Sequence, residues 1–175
     1  WLHDNGMVHR DVKPANIIVN ALAGDTHAKI IDLDIGLHLD LPRLTLKDMG
    51  VATFQYAPPE VIRGKGSPID GRADLYSFGV TAFETLAGEP AFPDSDLETL
   101  LRRICSPERP SLCLFLPEAA ATLDAYLQRL MSVRPGDRPS SAEEAWTELQ
   151  AILDASVGDS GCAVVAEVST RSPEP

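Results

Sequence analysis

The chain has 175 residues, of which 44% are hydrophobic and 23% are charged, and its formal net charge is −11 at pH 7. This composition is typical of a globular domain and excludes a collagen-like or largely disordered chain. Because so acidic a chain repels phosphate groups, nucleic acids and anionic membranes are excluded as main partners. No apolar run reaches the roughly 18 residues of a membrane-spanning helix, so we expect no membrane segment in this chain.

The three cysteines show no sign of a disulfide framework or a zinc site. Cys105, Cys113 and Cys162 are odd in number and far apart, whereas such sites need paired, closely spaced cysteines. A reducing compartment is the default for such a chain, so we expect a cytoplasmic location. A membrane anchor elsewhere in a longer parent protein stays open, because Trp1 lies in what the pattern indicates is the middle of a helix.

The first sixty residues predict a helix end, a hairpin and a long loop. Residues 1–6 have the composition of a last helical turn, with Gly6 as its left-handed cap. Two apolar, β-branched runs at residues 16–19 and 28–31 flank a polar loop and predict a small hairpin. Residues 32–60 show no sustained periodicity, and a loop of that length in a compact domain is usually functional.

Beyond residue 70 the periodicity becomes helical. A long helix is predicted from about Gly71 to Gly88, because apolar residues recur at intervals of three and four and Pro90 prevents continuation. The predicted apolar stripe of this helix consists of Leu75, Phe78, Gly79, Ala82, Phe83 and Leu86. Ser95 and Glu98 then have the spacing of a capping box and predict a helix to about Ile104.

Two further helices complete the predicted domain. Residues 123–131 have helical apolar spacing, and Ser140 with Glu143 forms a capping-box pattern that begins the last helix. The inward-facing residues of that last helix are predicted to be Trp146, Leu149 and Leu153. We therefore predict a mainly α domain with a small β-hairpin over residues 1–155, and a flexible Ser-, Gly- and Pro-rich tail over 156–175.

The residues with the clearest chemical potential lie just before and just after the predicted hairpin. Asp11 is placed to accept a hydroxyl proton, and Lys13 can neutralise charge on a transferred phosphoryl group. Asn16 offers an amide oxygen and Asp32 a carboxylate, and both are hard ligands suited to Mg²⁺. One base, one cation and two oxygen ligands predict metal-assisted phosphoryl transfer. The alternatives are a solvated turn at the first three positions and a strand-end acid without function at Asp32.

Five motifs resemble those of the eukaryotic-type protein kinases in their serine/threonine form. Residues 9–16, His-Arg-Asp-Val-Lys-Pro-Ala-Asn, resemble the catalytic loop H-R-D-x-K-P-x-N, in which the Lys marks serine/threonine kinases. Residues 32–34 stand where the family has D-F-G. Residues 52–60, 74–79 and 134–139 resemble G-T-x-x-Y-x-A-P-E, D-x-W-S-x-G and R-P-x-x-R-P. One such motif is weak, but five in family order are strong, and their style is most similar to bacterial kinases of this type.

The resemblance implies the C-terminal lobe of the protein kinase-like fold and transfer of the ATP γ-phosphoryl group to a protein Ser or Thr hydroxyl. Mg²⁺ (or Mn²⁺) is the implied cofactor, and ATP and a protein substrate are the implied partners. Asp11 and Lys13 take the implied catalytic roles, while Lys13, Asn16 and Asp32 contact the nucleotide, the last two through the metal. The Gly-rich loop, strand lysine and helix glutamate of the N-lobe are not among these residues, so we expect a C-lobe without its N-lobe that is inactive alone.

Other motif positions have structural or substrate roles in the family. The resemblance implies that His9 packs against and orders the catalytic loop, and that Asp74 ties the loop backbone to the start of the long helix. Glu60 and Arg138 are implied to form a buried ion pair. The implied substrate pocket includes Thr53 and Tyr56, with a phosphosite as the alternative for Thr53.

The resemblance also implies a regulatory role for the long loop. Arg10 stands where the family places the arginine that binds an activation-loop phosphate. Thr45 lies near the middle of the loop between Arg43 and Lys47 and is the possible phosphosite. In the alternative, Thr45 is an ordinary loop threonine and Arg10 pairs with a loop carboxylate. The two candidate carboxylates are those of Asp40 and Asp48.

Asp34 departs from the family pattern and keeps other functions open. It replaces the Gly of D-F-G, which removes backbone freedom and adds a second carboxylate near the metal. A pseudokinase or kinase-like binding module is therefore one alternative to the enzyme. A small-molecule kinase of the aminoglycoside type is another, but its family lacks the Tyr-x-x-Pro-Glu segment and the late arginine that this sequence contains.

Overall fold

The structure, a computed structural model, describes residues 2–22, 25–32, 54–64, 69–93, 96–117 and 121–158. Within these ranges the chain is mostly helical and carries one two-stranded antiparallel sheet. The predicted combination of a mainly α fold with a small β-hairpin is therefore confirmed.

The hairpin pairs strand β1 (Ile17–Leu22) with strand β2 (Asp25–Ile30). Its register runs from Ile17 opposite Ile30 to Leu22 opposite Asp25. One more backbone bond extends the pairing, since the N–H of Ile31 donates to the carbonyl of Asn16 over 2.8 Å. The hairpin thereby holds the residue before β1 beside the residues that follow β2.

Five α-helices follow the hairpin. Their bounds are α1 Pro59–Arg63, α2 Arg72–Ala87, α3 Leu97–Cys105, α4 Ala121–Leu130 and α5 Ala142–Gly158. Short 3₁₀ turns lie at His3–Asn5, Pro14–Asn16, Leu112–Leu114 and Pro135–Asp137. The predicted left-handed caps are confirmed at Gly6 (φ +69°) and Gly88 (φ +71°). None of the helices in the described ranges combines the length and the apolarity needed to cross a membrane.

Helix α2 is the centre of the core and packs against α4, α5 and the turn at Leu112–Leu114. Tyr76 and Phe83 of α2 are completely buried, as are Leu130 and Met131 at the end of α4. Gly79 makes the close packing of α2 on α4 possible, because a Cβ at this position would lie 2.7 Å from the Cβ of Leu130.

The predicted apolar stripe of α2 is wrong in one respect. Phe78 is 37% exposed, whereas polar residues outside the stripe, Asp74, Ser77 and Thr81, are buried. Since α2 has neighbours on several sides, burial extends around most of its circumference, and a single-stripe interpretation underestimates it.

Both predicted capping boxes lie one residue too early. The N-cap of α3 is Asp96, whose carboxylate accepts the N–H of Thr99 over 2.8 Å, and not Ser95. At the start of α5 the N–H of Glu144 donates to Ser141 Oγ over 3.1 Å, so the box is Ser141 to Glu144. Asp, Ser and Glu are clustered at both sites, and several registers satisfy the same spacing.

The shifted start of α5 also corrects its predicted inward face. Ala145 is buried, whereas Trp146 is 56% and Leu153 39% exposed, and of the three predicted residues only Leu149 packs against the core. Each residue turns a helix by about 100°, so a one-residue shift moves Trp146 and Leu153 to the edge of the buried face. The helix ends at Gly158, three residues beyond the end of the predicted pattern.

Candidate active site

Asp11 is the centre of a compact group of polar side chains. Its Oδ2 accepts hydrogen bonds from Lys13 Nζ and from Asn16 Nδ2, each over 2.8 Å. Asn16 Nδ2 also donates to the Asp11 backbone carbonyl over 2.8 Å and is buried. The side chains of Asp11 and Lys13 remain 36% and 29% exposed, so the carboxylate is oriented by two donors yet open to a ligand.

His9 connects Asp11 to the end of the hairpin. Its ring is buried, with Nε2 3.2 Å from the carbonyl oxygen of Ile31, and the N–H of Asp11 donates to Nδ1 over 3.4 Å. The tautomer with its proton on Nε2 satisfies both contacts. Because Asp32 directly follows Ile31, the buried ring joins the backbone of Asp11 to the residue beside Asp32.

Asp74 anchors the backbone just before Asp11. It lies in the first turn of α2 and is only 7% exposed. Its carboxylate accepts the N–H of His9 on Oδ2 and that of Arg10 on Oδ1, each over 2.8 Å. The start of the long core helix is therefore bonded directly to the loop that carries Asp11.

Two residues of this region have unusual backbone conformations. Arg10 (φ +69°) and Asp32 (φ +57°) are the non-glycine residues with positive φ within the described ranges. Such a conformation costs on the order of 1–3 kcal/mol and persists where surrounding contacts enforce it. The strain lies directly before Asp11 and directly after the second strand, beside the polar group described above.

The donor atoms near the hairpin are suited to Mg²⁺. Both hydrogens of Asn16 Nδ2 are directed to Asp11, so its amide oxygen is the atom that can serve as a ligand. Asp32 is exposed and lies one residue beyond the bond between Ile31 and Asn16. One amide and one carboxylate oxygen fit an ion that keeps several waters. The described residues contain no cluster of three His, Cys, Asp or Glu side chains arranged for a metal.

Glu60 and Arg138 form a bidentate ion pair inside the fold. Nη1 and Nη2 of Arg138 donate to Oε1 and Oε2 of Glu60 over 2.7 and 2.8 Å, and the side chains are 0% and 7% exposed for Arg138 and Glu60. Arg138 also donates to the carbonyls of Ser132 and Arg72, each over 2.9 Å. Its guanidinium carbon lies 4.9 Å from the ring centroid of Tyr76. The pair joins α1 to the start of α2 and to the segment before α5.

Tyr56 is held by helix α2. Its hydroxyl donates to Glu84 Oε2 over 2.7 Å, and Ser77 Oγ donates to its carbonyl over 2.8 Å. Burial and the Glu84 carboxylate raise the pKa of the Tyr56 hydroxyl well above its usual value. The ring is only partly buried, so it is the ring and not the hydroxyl that faces the surface of the site.

The structure thus brings together seven of the predicted site residues in two groups. One contains Asp11, Lys13, Asn16, His9, Arg10 and Asp74, and Asp32 adjoins it through Ile31; the other is the pair of Glu60 and Arg138. The predictions for Thr45, Thr53, Asp34, Asp40 and Asp48 lie outside the described residues. Sequence analysis missed His3, whose Nε2 lies 2.8 Å from Asp74 Oδ2, and Glu84, because no local pattern indicates contacts across such distances in the chain.

Comparisons with known proteins match this geometry to one family. The protein kinase domain model matches residues 1–149. Serine/threonine-protein kinase PknJ of Mycobacterium tuberculosis is 35% identical over 148 residues, which cover 82% of this chain and 25% of the relative. PkaA of Streptomyces coelicolor, also a serine/threonine-protein kinase, is 34% identical over 141 residues, or 79% of this chain and 24% of the relative.

A third relative extends the match along nearly the whole chain. A probable serine/threonine-protein kinase, PknB of Corynebacterium glutamicum, is 31% identical over 179 aligned residues, which cover 98% of this chain and 27% of the relative. The chain spans about a quarter of the length of the curated relatives it matches. Because the family model covers most of its residues, the chain belongs to the protein kinase domain family.

Proposed function

We propose that this chain is the C-lobe portion of a serine/threonine protein kinase, which transfers the γ-phosphoryl group of ATP to a protein Ser or Thr hydroxyl. The observation that carries the proposal is the Asp11 carboxylate, which two donors orient while it remains partly exposed. The names of the relatives support the same reaction. The family motif in residues 9–16 supports a Ser or Thr acceptor, because Lys13 is at the position typical of serine/threonine kinases.

In the proposed step, Asp11 positions the attacking group and receives its proton. The substrate hydroxyl oxygen forms a bond to the γ-phosphorus, the bond from that phosphorus to the bridging oxygen of ADP breaks, and the hydroxyl proton moves to the Asp11 carboxylate. Lys13 and Asn16 both donate to Oδ2, so we assign the substrate hydroxyl to Oδ1. Lys13 also offers its positive charge to the transferred group, whose negative charge is spread over three oxygens.

Asn16 and Asp32 would hold the metal through one amide and one carboxylate oxygen. Bound Mg²⁺ would neutralise negative charge on the phosphates and orient them. The bond from Ile31 N–H to the Asn16 carbonyl keeps the two positions close. The strained backbone at Asp32 supports a functional role, since such conformations cluster at ligand sites.

The family's ATP site needs groups that are not among these 175 residues. The sequence contains no G-x-G-x-x-G loop, and in the family the phosphates are positioned by that loop and by an N-lobe lysine. Because positioning accounts for most of phosphoryl-transfer catalysis, the 175-residue chain alone should have negligible activity.

Arg10 and Thr45 extend the proposal to regulation. The Arg10 side chain is exposed beside Asp11, and a phosphothreonine carries roughly −1.5 to −2 charges that an arginine can bind. We therefore propose activation by phosphorylation at Thr45. Phosphopeptide mass spectrometry of the active protein and the rate of Thr45→Ala test it; unmodified Thr45 with an unchanged rate would favour an ion pair between Arg10 and a loop aspartate.

One sequence feature favours a second candidate, a pseudokinase that binds proteins without phosphoryl transfer. Asp34 stands where the family has glycine, and its carboxylate adds negative charge next to the proposed metal ligand. The retained Asp11, Lys13, Asn16 and Asp32 favour the enzyme.

The deciding experiment measures phosphoryl transfer by the full-length gene product. We expect transfer from γ-labelled ATP to a protein substrate, recovery of the label as phosphoserine or phosphothreonine, and loss of about 10²–10⁴-fold in rate in Asp11→Asn. Asp154→Asn, which neutralises an exposed carboxylate on α5, is the matched control and should retain the rate. Nucleotide binding without transfer in the unaltered protein would establish the pseudokinase instead.

A binding measurement separates the two carboxylates of the site. Asp32→Asn should weaken the binding of Mg²⁺-ATP, whereas Asp11→Asn should leave it nearly unchanged, because only Asp32 is assigned to the metal. Titration with a fluorescent ATP analogue at fixed Mg²⁺ measures both affinities. Equal losses of affinity in the two variants would refute this division of roles.

A further inference from the structure

The Asp74 carboxylate is shared by two different segments of the chain. Its Oδ1 accepts the N–H of Arg10, and its Oδ2 accepts both the N–H of His9 and His3 Nε2, all over 2.8 Å. Asp74 is 7% exposed, and the His3 side chain is 24% exposed. His3 therefore contacts the anion that fixes the backbone before Asp11, although it touches none of the proposed reacting groups itself.

The backbone held by Asp74 is strained, so the position of the carboxylate matters. Arg10 has a φ of +69°, which a residue with a Cβ adopts only when other contacts hold it. Its N–H bond to Asp74 is one such contact, and Asp11 is the next residue. A change in the orientation of the Asp74 carboxylate therefore reaches Asp11 through a single peptide unit.

Gly71 shows that the fold reserves space for the His3 ring. A Cβ at residue 71 would lie 2.5, 2.6 and 2.8 Å from three ring atoms of His3, closer than real Cβ contacts allow. The backbone of Gly71 has φ −56° and ψ −19°, an ordinary right-handed conformation open to any residue. The lack of a side chain at the N-cap of α2 is thus explained by the neighbouring ring and not by the backbone.

We propose that His3 is a positioning residue for phosphoryl transfer, which orients Asp74 and through it the His9–Arg10 backbone, and that Gly71 provides the space His3 requires. The inference rests on the proposed function and adds a residue to its machinery. His3 holds Oδ2 from the side opposite the catalytic loop, so the carboxylate is bonded to both segments at once. Loss of the imidazole leaves the carboxylate with the two backbone donors alone.

The first test compares His3→Ala, His3→Gln and the control His27→Ala in the full-length gene product. A hydrogen bond to a charged group is worth about a tenfold change or more. We expect kcat to fall about tenfold in His3→Ala with KM for ATP changed less than about twofold, and the His9 and Arg10 amides to exchange with deuterium about tenfold faster. His3→Gln, which retains an N–H donor, should recover much of both, and His27→Ala, on the exposed face of β2, should change neither.

The second test uses the steric contact between His3 and Gly71. Gly71→Ala should lower kcat and speed amide exchange as His3→Ala does, and in the His3→Ala background it should add little. Gly136→Ala, where a Cβ meets nothing within 4 Å, is the matched control. Equal effects of Gly71→Ala in both backgrounds would overturn the proposal.

The two readouts separate this proposal from the function on which it rests. Amide exchange reports the position of the loop whether or not the protein transfers phosphate. Unchanged exchange at His9 and Arg10 in both His3 variants would refute the positioning role, even if the protein is an active kinase. Faster exchange in a protein without transfer activity would support the positioning of the loop and contradict the proposed function. If His3→Ala fails to fold, the kcat and exchange of His3→Gln decide the question.

Discussion

Two acid–base pairs in this molecule have nearly the same separation and very different surroundings. Glu60 and Arg138 are 2.7 Å apart and almost completely buried, and Arg138 makes further bonds to two carbonyls and lies over a ring. Asp11 and Lys13 are 2.8 Å apart, and about a third of each side chain is exposed. The distance between charges therefore does not distinguish a structural pair from a reactive one.

The surroundings make this distinction in physical terms. A buried charge that loses its partner cannot be rehydrated, so Glu60 and Arg138 depend on each other for the fold. A partly exposed pair is screened by water and contributes roughly 0–1 kcal/mol to stability. Asp11 and Lys13 are thus free to exchange each other for a substrate at little cost to the fold.

The largest expected effect comes from breaking the buried pair. Arg138→Met should lower the free energy of unfolding by about 3–5 kcal/mol, because it leaves the Glu60 carboxylate buried without a cation. Urea unfolding of the full-length protein measures the loss. Arg102→Met is the control: Arg102 pairs with Glu98 at 3.1 Å, but the two side chains are 72% and 84% exposed, so less than about 1 kcal/mol should be lost. Similar losses in both variants would contradict the comparison.

Asp74 lies between the two categories and should affect both fold and chemistry. Asp74→Asn replaces one of the two accepting oxygens with an N–H₂ group, so at least one backbone donor loses its partner. We expect a loss of about 1–3 kcal/mol in stability, measured by urea unfolding, together with a lower kcat. Asp70→Asn is the control, since Asp70 is exposed and bonds Arg72 in the same region. A stability loss without any change in kcat would show that Asp74 serves the fold alone.

The smallest expected effect is a pH dependence at the start of α5. Hydrogen bonds from Ser140, together with Arg129, lower the pKa of the Glu144 carboxyl from 4.5 to about 2. Because the folded pKa is lower than the unfolded value, the stabilisation is present above about pH 4.5 and is lost as the pH falls toward 2. We expect Glu144→Gln to be less sensitive to acid in this window when melting temperatures are compared from pH 5 to pH 2. An identical acid dependence in the variant and the unaltered protein would contradict this assignment.

The sequence was sufficient for those features that depend on local patterns. The hairpin, the long helix and the left-handed caps at Gly6 and Gly88 follow from periodicity and from the conformational freedom of glycine. The residues around Asp11 are close in sequence, so a short motif describes them. Helix starts were less certain, because neighbouring Ser and Asp residues at 95–96 and 140–141 can each form a cap.

Contacts between distant segments could not be predicted from local patterns. His3 and Asp74 are separated by 71 positions, and the two carbonyls that accept from Arg138 come from separate segments of the chain. The exposure of Phe78 and Trp146 likewise depends on which neighbours cover each helix face. These features depend on tertiary packing, which periodicity within one helix does not contain.

The central claim is that Asp11 serves the chemistry and not the fold. The most direct measurement determines the phosphoryl-transfer rate and the free energy of unfolding on the same preparation of the full-length Asp11→Asn protein. The account predicts that transfer falls by about 10²–10⁴-fold while stability changes by no more than about 1 kcal/mol. A variant that transfers phosphate at the unaltered rate, or that loses activity only because it unfolds, would contradict the account.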